Sequence, residues 1–290
     1  MKFDKNTKIL IVGLGLIGGS YAKALSDEGY FVGAIDKKKS SVEYALKNGL
    51  IQVGETSVKK DFVKDFDLIV FALYPHDFIN WIKEYQSSIK SGALITDVTG
   101  VKSFVVENVQ KILRGDLEFV GAHPMAGKEV SGVENADPKI FVGANYIVTP
   151  TKKNTDENVQ AGKDLGRALG FERISSLSPE EHDETVGFLS HLTHCIAVSL
   201  MVSKKSHHLA EYTGDSFRDL TRIAKINDEM WSELFLANKD ELLKQMDLFE
   251  EKFNQLKEDI KNDNREKIRE TLRESTARRK VFDKDAKETK

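Results

Sequence analysis

Short apolar runs separated by helical stretches dominate the first half of the chain, which is the pattern of a buried parallel sheet. The first two runs are rich in β-branched residues and stop at Gly13 and at Asp36. We predict strands at residues 8–12, 30–35, 67–73, 93–98, 118–122 and 146–149. Helices between consecutive parallel strands cover both faces of such a sheet, so we expect an α/β Rossmann-type domain.

From about residue 152 the pattern changes to helical periodicity, which continues almost to the end of the chain. We predict a helix at 156–169, a short strand at 171–174 and a long helix at 179–203 that is apolar nearly all round and therefore buried. The predicted fold class is an α/β Rossmann-type N-terminal domain with a parallel sheet (residues 1–150), followed by an all-α dimerisation domain (residues 151–290). One apolar stripe in the helical half is core or subunit interface, and consists of Leu242, Met246, Phe249, Phe253, Leu256 and Ile260.

Composition and charge narrow the class of protein. The chain has 290 residues, enough for two domains, and its 40% apolar and 31% charged residues are typical of a globular enzyme. The net charge of −3 gives no indication of a nucleic-acid or anionic-membrane partner. No apolar stretch approaches the ~20 residues of a membrane span. The single cysteine, Cys195, excludes an intrachain disulfide, so we expect a cytoplasmic protein.

The first predicted strand ends in a glycine-rich turn, G-L-G-L-I-G, of the kind that binds a dinucleotide. Gly13 permits the tight turn, Gly15 lets the backbone approach a pyrophosphate, and Gly18 lets the following helix pack close to the strand. The first turn of that helix, at Leu16 and Ile17, offers free N–H groups to the phosphates.

An acidic residue, Asp36, ends the second predicted strand, 18 residues after Gly18. A carboxylate there accepts hydrogen bonds from the ribose hydroxyls and repels a 2′-phosphate, which favours NAD over NADP. The three lysines at residues 37–39 are compatible with NADP or are only a solvated helix start. We predict NAD as the cofactor and assign Thr99, which follows another strand, to the same site.

His123 follows a predicted strand and directly precedes Pro124, which holds its backbone extended. Ligands bind such sheets at the carboxyl ends of the strands, so we expect this loop to lie over the cofactor. The histidine either takes a proton near neutral pH or only braces the loop.

Further polar residues interrupt the helical half. His191 and His194 share a helix face near Ser190, which favours a ligand site over a metal site because no third metal ligand is evident. Arg222 lies three residues after Asp219. This acid can hold the guanidinium in place to bind a carboxylate, or the two form a surface salt bridge.

Taken together, these segments carry a family resemblance. Six segments between about residues 8 and 260 resemble the motifs of the prephenate dehydrogenase family. In chain order they are GLGLIGGS, DVTGVK, HPMAGKEVSGVE, SHLTH, FRDLTRIA and MW. The resemblance implies NAD-dependent oxidative decarboxylation of prephenate to 4-hydroxyphenylpyruvate in tyrosine biosynthesis. The partners it implies are prephenate and a second copy of the chain, and we expect neither nucleic acid, membrane nor metal.

The resemblance also implies residue roles. His123 hydrogen-bonds the ring hydroxyl, Arg222 binds a substrate carboxylate, Glu129 gates or orients the site, and Trp231 lies near the pocket or the dimer seam. The implied catalytic residues are His123, Arg222, His194 and Glu129, and the implied substrate-binding residues are Ser190, His191, Asp219 and Trp231.

Departures from the family's pattern leave alternatives open. Many members carry a serine at the position of Gly100, where it contacts the catalytic histidine, and here Thr99 is the candidate replacement. Asp215, in a region that is often glycine-rich, favours arogenate, whose side chain carries an ammonium group. The other classes are a β-hydroxy-acid or imine dehydrogenase, which usually has a catalytic lysine in the helical domain, and a non-catalytic NAD sensor.

Overall fold

A six-stranded parallel sheet forms the centre of the N-terminal part of the computed structural model, which describes residues 1–205 and 208–282. The strands are β1 (Lys8–Val12), β2 (Phe31–Ile35), β3 (Val53–Glu55), β4 (Leu68–Phe71), β5 (Leu94–Asp97) and β6 (Glu118–Phe119). Their order is β3-β2-β1-β4-β5-β6, and all neighbours are parallel. The order reverses between β1 and β4, which is where doubly wound sheets bind dinucleotides. The predicted Rossmann-type architecture is confirmed.

Helices cover both faces of this sheet. The helices in this part of the chain are α1 (Leu16–Asp27), α2 (Lys39–Lys47), α3 (Lys60–Val63), α4 (Pro75–Tyr85), α5 (Ser103–Ile112) and, after the sheet, α6 (Asp156–Ala168). Alternate residues of β1 enter two separate apolar cores, since successive strand side chains point to opposite faces. Ile9 and Ile11 belong to one core, and Leu10 and Val12 to the other.

A second, three-stranded sheet contains residues of two predicted strands that we had assigned to the parallel sheet. It consists of β7 (Gly121–Pro124), β8 (Asn145–Thr149) and β9 (Arg173–Ser176), with β7 antiparallel and β9 parallel to β8. The predicted strand at 118–122 is therefore two strands in two sheets, and the one at 146–149 lies outside the parallel sheet. An apolar run shows that a segment is a strand but not which strand it pairs with. The division at residue 150 stays a prediction.

The single helix predicted at 179–203 is in fact three pieces. α7 (Pro179–Val186) leads into a π-helical turn at Gly187–Leu192, and α8 (Thr193–Val202) follows. The prediction that it is buried is wrong for part of its surface, because Phe188 is 55% and Val202 74% exposed. Apolar composition indicates that a surface is better buried than exposed to water, but it does not indicate that residues of the same chain bury it.

By length and composition alone, Pro179–Val202 could cross a membrane, which corrects the expectation that no apolar stretch approaches that length. Its Asp183, however, accepts hydrogen bonds from the backbone N–H groups of Lys102 (2.8 Å) and Ser103 (2.7 Å). These bonds attach the segment to the start of α5.

The remaining elements of the described chain are helical, as predicted. α9 (Asp215–Thr221) and α10 (Asp228–Ala237) belong to the same compact unit as the sheets. A second unit begins at Asp240 and contains α11 (Lys239–Lys261) and α12 (Arg265–Arg279). Residues 206–207 and 283–290 of the predicted helical half lie outside the described residues. The predicted stripe on α11 is largely uncovered in the single chain, with exposures of 39–59% at Met246, Phe249, Phe253 and Ile260.

Candidate active site

The glycine turn has the geometry that a pyrophosphate requires. Gly13 has φ +98°, and a Cβ added at Gly18 would lie 1.9 Å from the Gly13 carbonyl oxygen, so both positions require glycine. A Cβ added at Gly15 would meet no atom within 4 Å, so this position opens onto free space. α1 begins directly after Gly15 without a side-chain cap, which leaves the N–H groups of Leu16 and Ile17 for a phosphate.

Asp36 lies at the end of β2, beside this turn. Its Oδ2 accepts a hydrogen bond from Leu14 N (2.7 Å) and its Oδ1 accepts one from Lys38 N (2.7 Å). These two bonds fix the carboxylate, and the remaining lone pairs are available to ribose hydroxyls. The turn and the acid together fit a dinucleotide.

A buried ion pair closes the carboxyl end of β5. Lys102 Nζ lies 2.6 Å from Asp97 Oδ2, and both side chains are fully buried. Burial lowers the pKa of Lys102, although the charge of Asp97 opposes this. Asp97 Oδ1 also accepts a hydrogen bond from Ala122 N (3.0 Å), which positions β7 and hence His123 against β5.

The partner of His123 is His182, which no motif in the sequence indicated. His123 Nδ1 lies 2.8 Å from His182 Nε2, and His182 Nδ1 lies 2.8 Å from Asp183 Oδ1. Burial is the main reason that the pKa of His123 is well below its usual value, and the charges of His182 and Lys102 act in the same direction. Burial also lowers the pKa of His182. His182 lies in the polar first turns of α7 (PEEHDETV), where nothing in the local pattern sets it apart.

Thr99 does not take the place of the missing serine. Its hydroxyl contacts Asp97, the Val101 carbonyl oxygen (3.0 Å) and Lys102 Nζ (3.0 Å). A Cβ added at Gly100 would lie 3.8 Å from His123 Cε1, so a serine there would reach the histidine ring. Within the described residues, the side chain that shares a hydrogen bond with the ring of His123 is that of His182 instead.

The π-helical turn brings His191 and His194 against one aromatic side chain. The ring of His194 stacks on that of Trp231, with ring centroids 3.7 Å apart. The ring of His191 meets Trp231 edge-on, with ring centroids 6.0 Å apart. His194 Nδ1 lies 2.8 Å from the Ser190 carbonyl oxygen, and Asn238 Nδ2 lies 3.2 Å from His191 Nδ1. Burial lowers the pKa of His191 to about 4 and also lowers that of His194. His191 is the more deeply buried of the two.

Arg222 forms an ion pair with Glu129, although the two residues are 93 positions apart. The expectation that Asp219 holds this guanidinium is wrong: Arg222 begins a 3₁₀ turn after α9, and the carboxylate that it meets is that of Glu129. Both side chains are accessible, at 65% and 38% exposed. The charges of Arg222 and Glu129 both act on the pKa of His194, so these three residues share one region.

The described residues thus bring together most of the predicted site. His123, His191 and His194 lie near one another, since the charge of His191 lowers the pKa of His123 and the charge of His194 lowers the pKa of His191. Asp219 is exposed on α9 and forms no ion pair with Arg222 within the described chain. Its predicted role in substrate binding is a proposal without a contact to support it.

Two family models match the chain. "Prephenate dehydrogenase, nucleotide-binding domain" matches residues 21–171, and "Prephenate dehydrogenase, dimerization domain" matches residues 178–274. The chain belongs to the prephenate dehydrogenase family. The family resemblance noted in the sequence is therefore confirmed.

Relatives of known name or structure agree with this family. A prephenate dehydrogenase of Bacillus subtilis strain 168 is 35% identical over 249 residues, which cover 82% of this chain but only 66% of that protein. A crystal structure of prephenate dehydrogenase from A. aeolicus, in complex with hydroxyphenyl propionate and NAD+, has 34% identity and a TM-score of 0.87, covering 96% of this chain and 98% of that one. The Synechocystis arogenate dehydrogenase structure has 25% identity and a TM-score of 0.82, covering 96% and 100%.

Proposed function

We propose that this chain is an NAD-dependent prephenate dehydrogenase that converts prephenate to 4-hydroxyphenylpyruvate and CO₂ in tyrosine biosynthesis. The observation that carries the proposal is His123: burial keeps it neutral, and its Nε2 has no hydrogen-bond partner among the described residues. This nitrogen is therefore available to the substrate hydroxyl as a general base. The open position at Gly15 and the fixed carboxylate of Asp36 support NAD as the cofactor.

His123 both takes and returns one proton in the proposed reaction. Its Nε2 accepts the proton of the ring hydroxyl as the carbon that bears this hydroxyl loses a hydride. NAD, when bound, supplies the hydride acceptor. The ring carboxylate then leaves as CO₂, and its bonding electrons complete the aromatic ring and leave a phenolate. The phenolate oxygen recovers the proton from His123, so no net proton is released and the base is restored for the next turnover.

Arg222 binds a substrate carboxylate in this proposal. Prephenate is a dianion, and the planar guanidinium can hold a carboxylate through two parallel hydrogen bonds. Glu129 is the present partner of Arg222, so the substrate exchanges places with this carboxylate. His194, Trp231, Ser190 and His191 are proposed to line the pocket, and Asp219 completes the predicted set.

The chain is further proposed to act as a cytoplasmic homodimer, with residues 1–150 binding the cofactor and residues 151–290 forming the substrate and dimer region. The exposed apolar stripe on α11 and the exposed apolar residues of α8 support a subunit interface, because such surfaces are otherwise costly in water. Sedimentation of the intact chain at twice its mass of 32.6 kDa is the expected result.

The function is tested by the absorbance of reduced nicotinamide after enzyme, NAD and prephenate are mixed, with arogenate and with NADP in parallel. Rapid NADH formation from prephenate is expected, and His123→Asn should abolish most of it. Turnover of arogenate alone would change the assigned substrate from prephenate to arogenate. The likeness to the Synechocystis arogenate dehydrogenase favours this alternative. Folded protein that binds NAD and oxidises neither compound would rule out the proposed function.

A further inference from the structure

Three side chains form a line of hydrogen bonds that ends at His123. Asp183 is held by two backbone N–H groups, of Lys102 and Ser103, at the N-terminus of α5. Its Oδ1 lies 2.8 Å from His182 Nδ1, and His182 Nε2 lies 2.8 Å from His123 Nδ1. His182 and Asp183 are buried, so water does not compete for these bonds.

The protons on this line can be assigned from its fixed end. The Asp183 carboxylate only accepts hydrogen bonds, so His182 carries its proton on Nδ1. A neutral His182 then has a lone pair on Nε2, and the facing Nδ1 of His123 must be the donor. A neutral His123 therefore carries its single proton on Nδ1 and a lone pair on Nε2. Burial and the positive charge of Lys102 keep both rings neutral, since they lower both pKa values.

We infer that His182 and Asp183 are positioning residues that hold His123 in the tautomer whose Nε2 is a lone-pair base. This inference rests on the proposed function, because it concerns the nitrogen that receives the substrate hydroxyl proton. Without an acceptor at His182, the ring of His123 can place its proton on Nε2, and the nitrogen available to the substrate is then a donor.

The line keeps its hydrogen bonds when His123 is protonated. When Nε2 takes the hydroxyl proton, the imidazolium keeps its Nδ1–H bond to His182, which in turn donates to the Asp183 carboxylate. No proton has to pass from His123 to His182 or to solvent, because the proton on Nε2 returns to the phenolate oxygen. Loss of tautomer control in a comparable histidine and carboxylate arrangement lowers kcat by about 10⁴-fold.

Two substitutions at His182 separate this role from simple packing. His182→Gln keeps an acceptor oxygen within reach of His123 Nδ1, whereas His182→Leu fills the buried site with apolar atoms and offers none. We expect His182→Leu to lower kcat by roughly 10²–10⁴-fold, with the NAD Kd and the substrate KM within about threefold of wild type. His182→Gln should recover most of this loss. If His182 only fills space, the apolar leucine should be at least as active as glutamine, and that order would overturn the inference.

A second measurement does not depend on turnover. Protein labelled with ¹⁵N-histidine, studied by two-bond ¹H–¹⁵N correlation NMR at neutral pH, reports which ring nitrogen carries the proton. The signals of His123 are those lost in His123→Asn. We expect Nδ1–H in wild type and in His182→Gln, and Nε2–H in His182→Leu. An Nε2–H tautomer in wild type, or no change in His182→Leu, would overturn the inference even if prephenate is turned over. The expected NMR pattern in a protein that oxidises no substrate would support the positioning role and reject only the proposed function.

Discussion

At the scale of single residues, Arg222 offers a direct test of substrate binding. We expect Arg222→Ala to raise the KM for prephenate by roughly 10–100-fold, since a hydrogen bond to a charged group contributes about 1.5–3 kcal/mol. Arg222→Lys should recover only part of this, because an ammonium group cannot form the two parallel bonds. Steady-state kinetics at saturating NAD measures both effects.

Arg218 provides the matched control for Arg222. It lies on α9 and pairs with Asp215 (2.9 Å), and both side chains are well exposed. Exposed ion pairs contribute little, so Arg218→Ala should leave the KM within about twofold of wild type. A large effect at Arg218 together with none at Arg222 would place the carboxylate site elsewhere.

Burial decides how much each ion pair contributes to stability. Lys102→Met leaves the Asp97 carboxylate buried without its cation, and we expect the free energy of unfolding to fall by about 3–5 kcal/mol. Lys90→Met breaks a pair of similar length, Lys90 Nζ to Asp67 Oδ1 at 2.5 Å, but this pair is partly exposed and should cost about 1 kcal/mol or less. Urea unfolding of both variants measures the difference, and equal losses would contradict the role of burial.

The sequence predicted which residues belong to the site better than it predicted which of them contact each other. The prediction of His123 and Arg222 rested on local motifs and on the family resemblance, and the described structure gives both a suitable surrounding. The sequence pointed to the wrong acid for Arg222, because Asp219 is near in the chain whereas Glu129 is near in space. His182 was missed for the same reason, since its partner His123 is 59 residues away.

At the scale of elements, the turn between β1 and α1 separates two uses of glycine. Gly18→Ala would place a methyl group against the Gly13 carbonyl oxygen, so we expect a clear loss of stability and of NAD binding. Gly15→Ala meets open space and has an ordinary φ of −87°, so the fold should remain stable while the NAD Kd rises at least tenfold. Thermal unfolding with and without NAD distinguishes the two, and NAD binding by Gly15→Ala at wild-type affinity would place the pyrophosphate elsewhere.

The helical segment at 179–202 shows why element type is easier to predict than element detail. Its apolar composition correctly indicated helical structure, and the ligand site predicted at its two histidines stays a prediction. The π-helical turn at Gly187–Leu192 lies next to a long-range contact, the stacking of His194 on Trp231. Such turns are frequent at functional sites, and no local spacing of apolar residues encodes them.

At the scale of the whole molecule, the buried histidines make stability depend on pH. The folded-state pKa values of His123, His182, His191 and His194 are all lowered, so the unfolded chain binds more protons below about pH 6.5. The free energy of unfolding should therefore be highest above pH 6.5 and fall as the pH decreases. His191 alone, with a pKa of about 4, accounts for roughly 3 kcal/mol between pH 6.5 and pH 4.

Urea unfolding at pH 7.5, 6.0 and 5.0 measures this dependence. Replacing His191 by Asn removes one titrating group and should flatten the slope by up to one proton, or about 1.4 kcal/mol per pH unit. A free energy of unfolding that stays constant or increases from pH 7.5 to pH 5.0 would show that these histidines are not held neutral.

The sequence by itself determined the features that local geometry fixes. The spacing of Gly13, Gly15 and Gly18 and the position of Asp36 follow from the strand, turn and helix that contain them, so they could be read in order along the chain. The alternation of strands and helices likewise set the parallel sheet, because right-handed crossovers leave few other topologies.

Only the tertiary structure decided which distant groups meet. The pairing of β7 with β8, the bond between His182 and His123 and the ion pair of Arg222 with Glu129 each join segments that are far apart in the chain. The proton position on His123 depends on such a contact, since it is set by the carboxylate of Asp183, which is anchored at the start of α5. Local patterns constrain the backbone near each residue, whereas hydrogen-bond partners and burial are properties of the packed molecule as a whole.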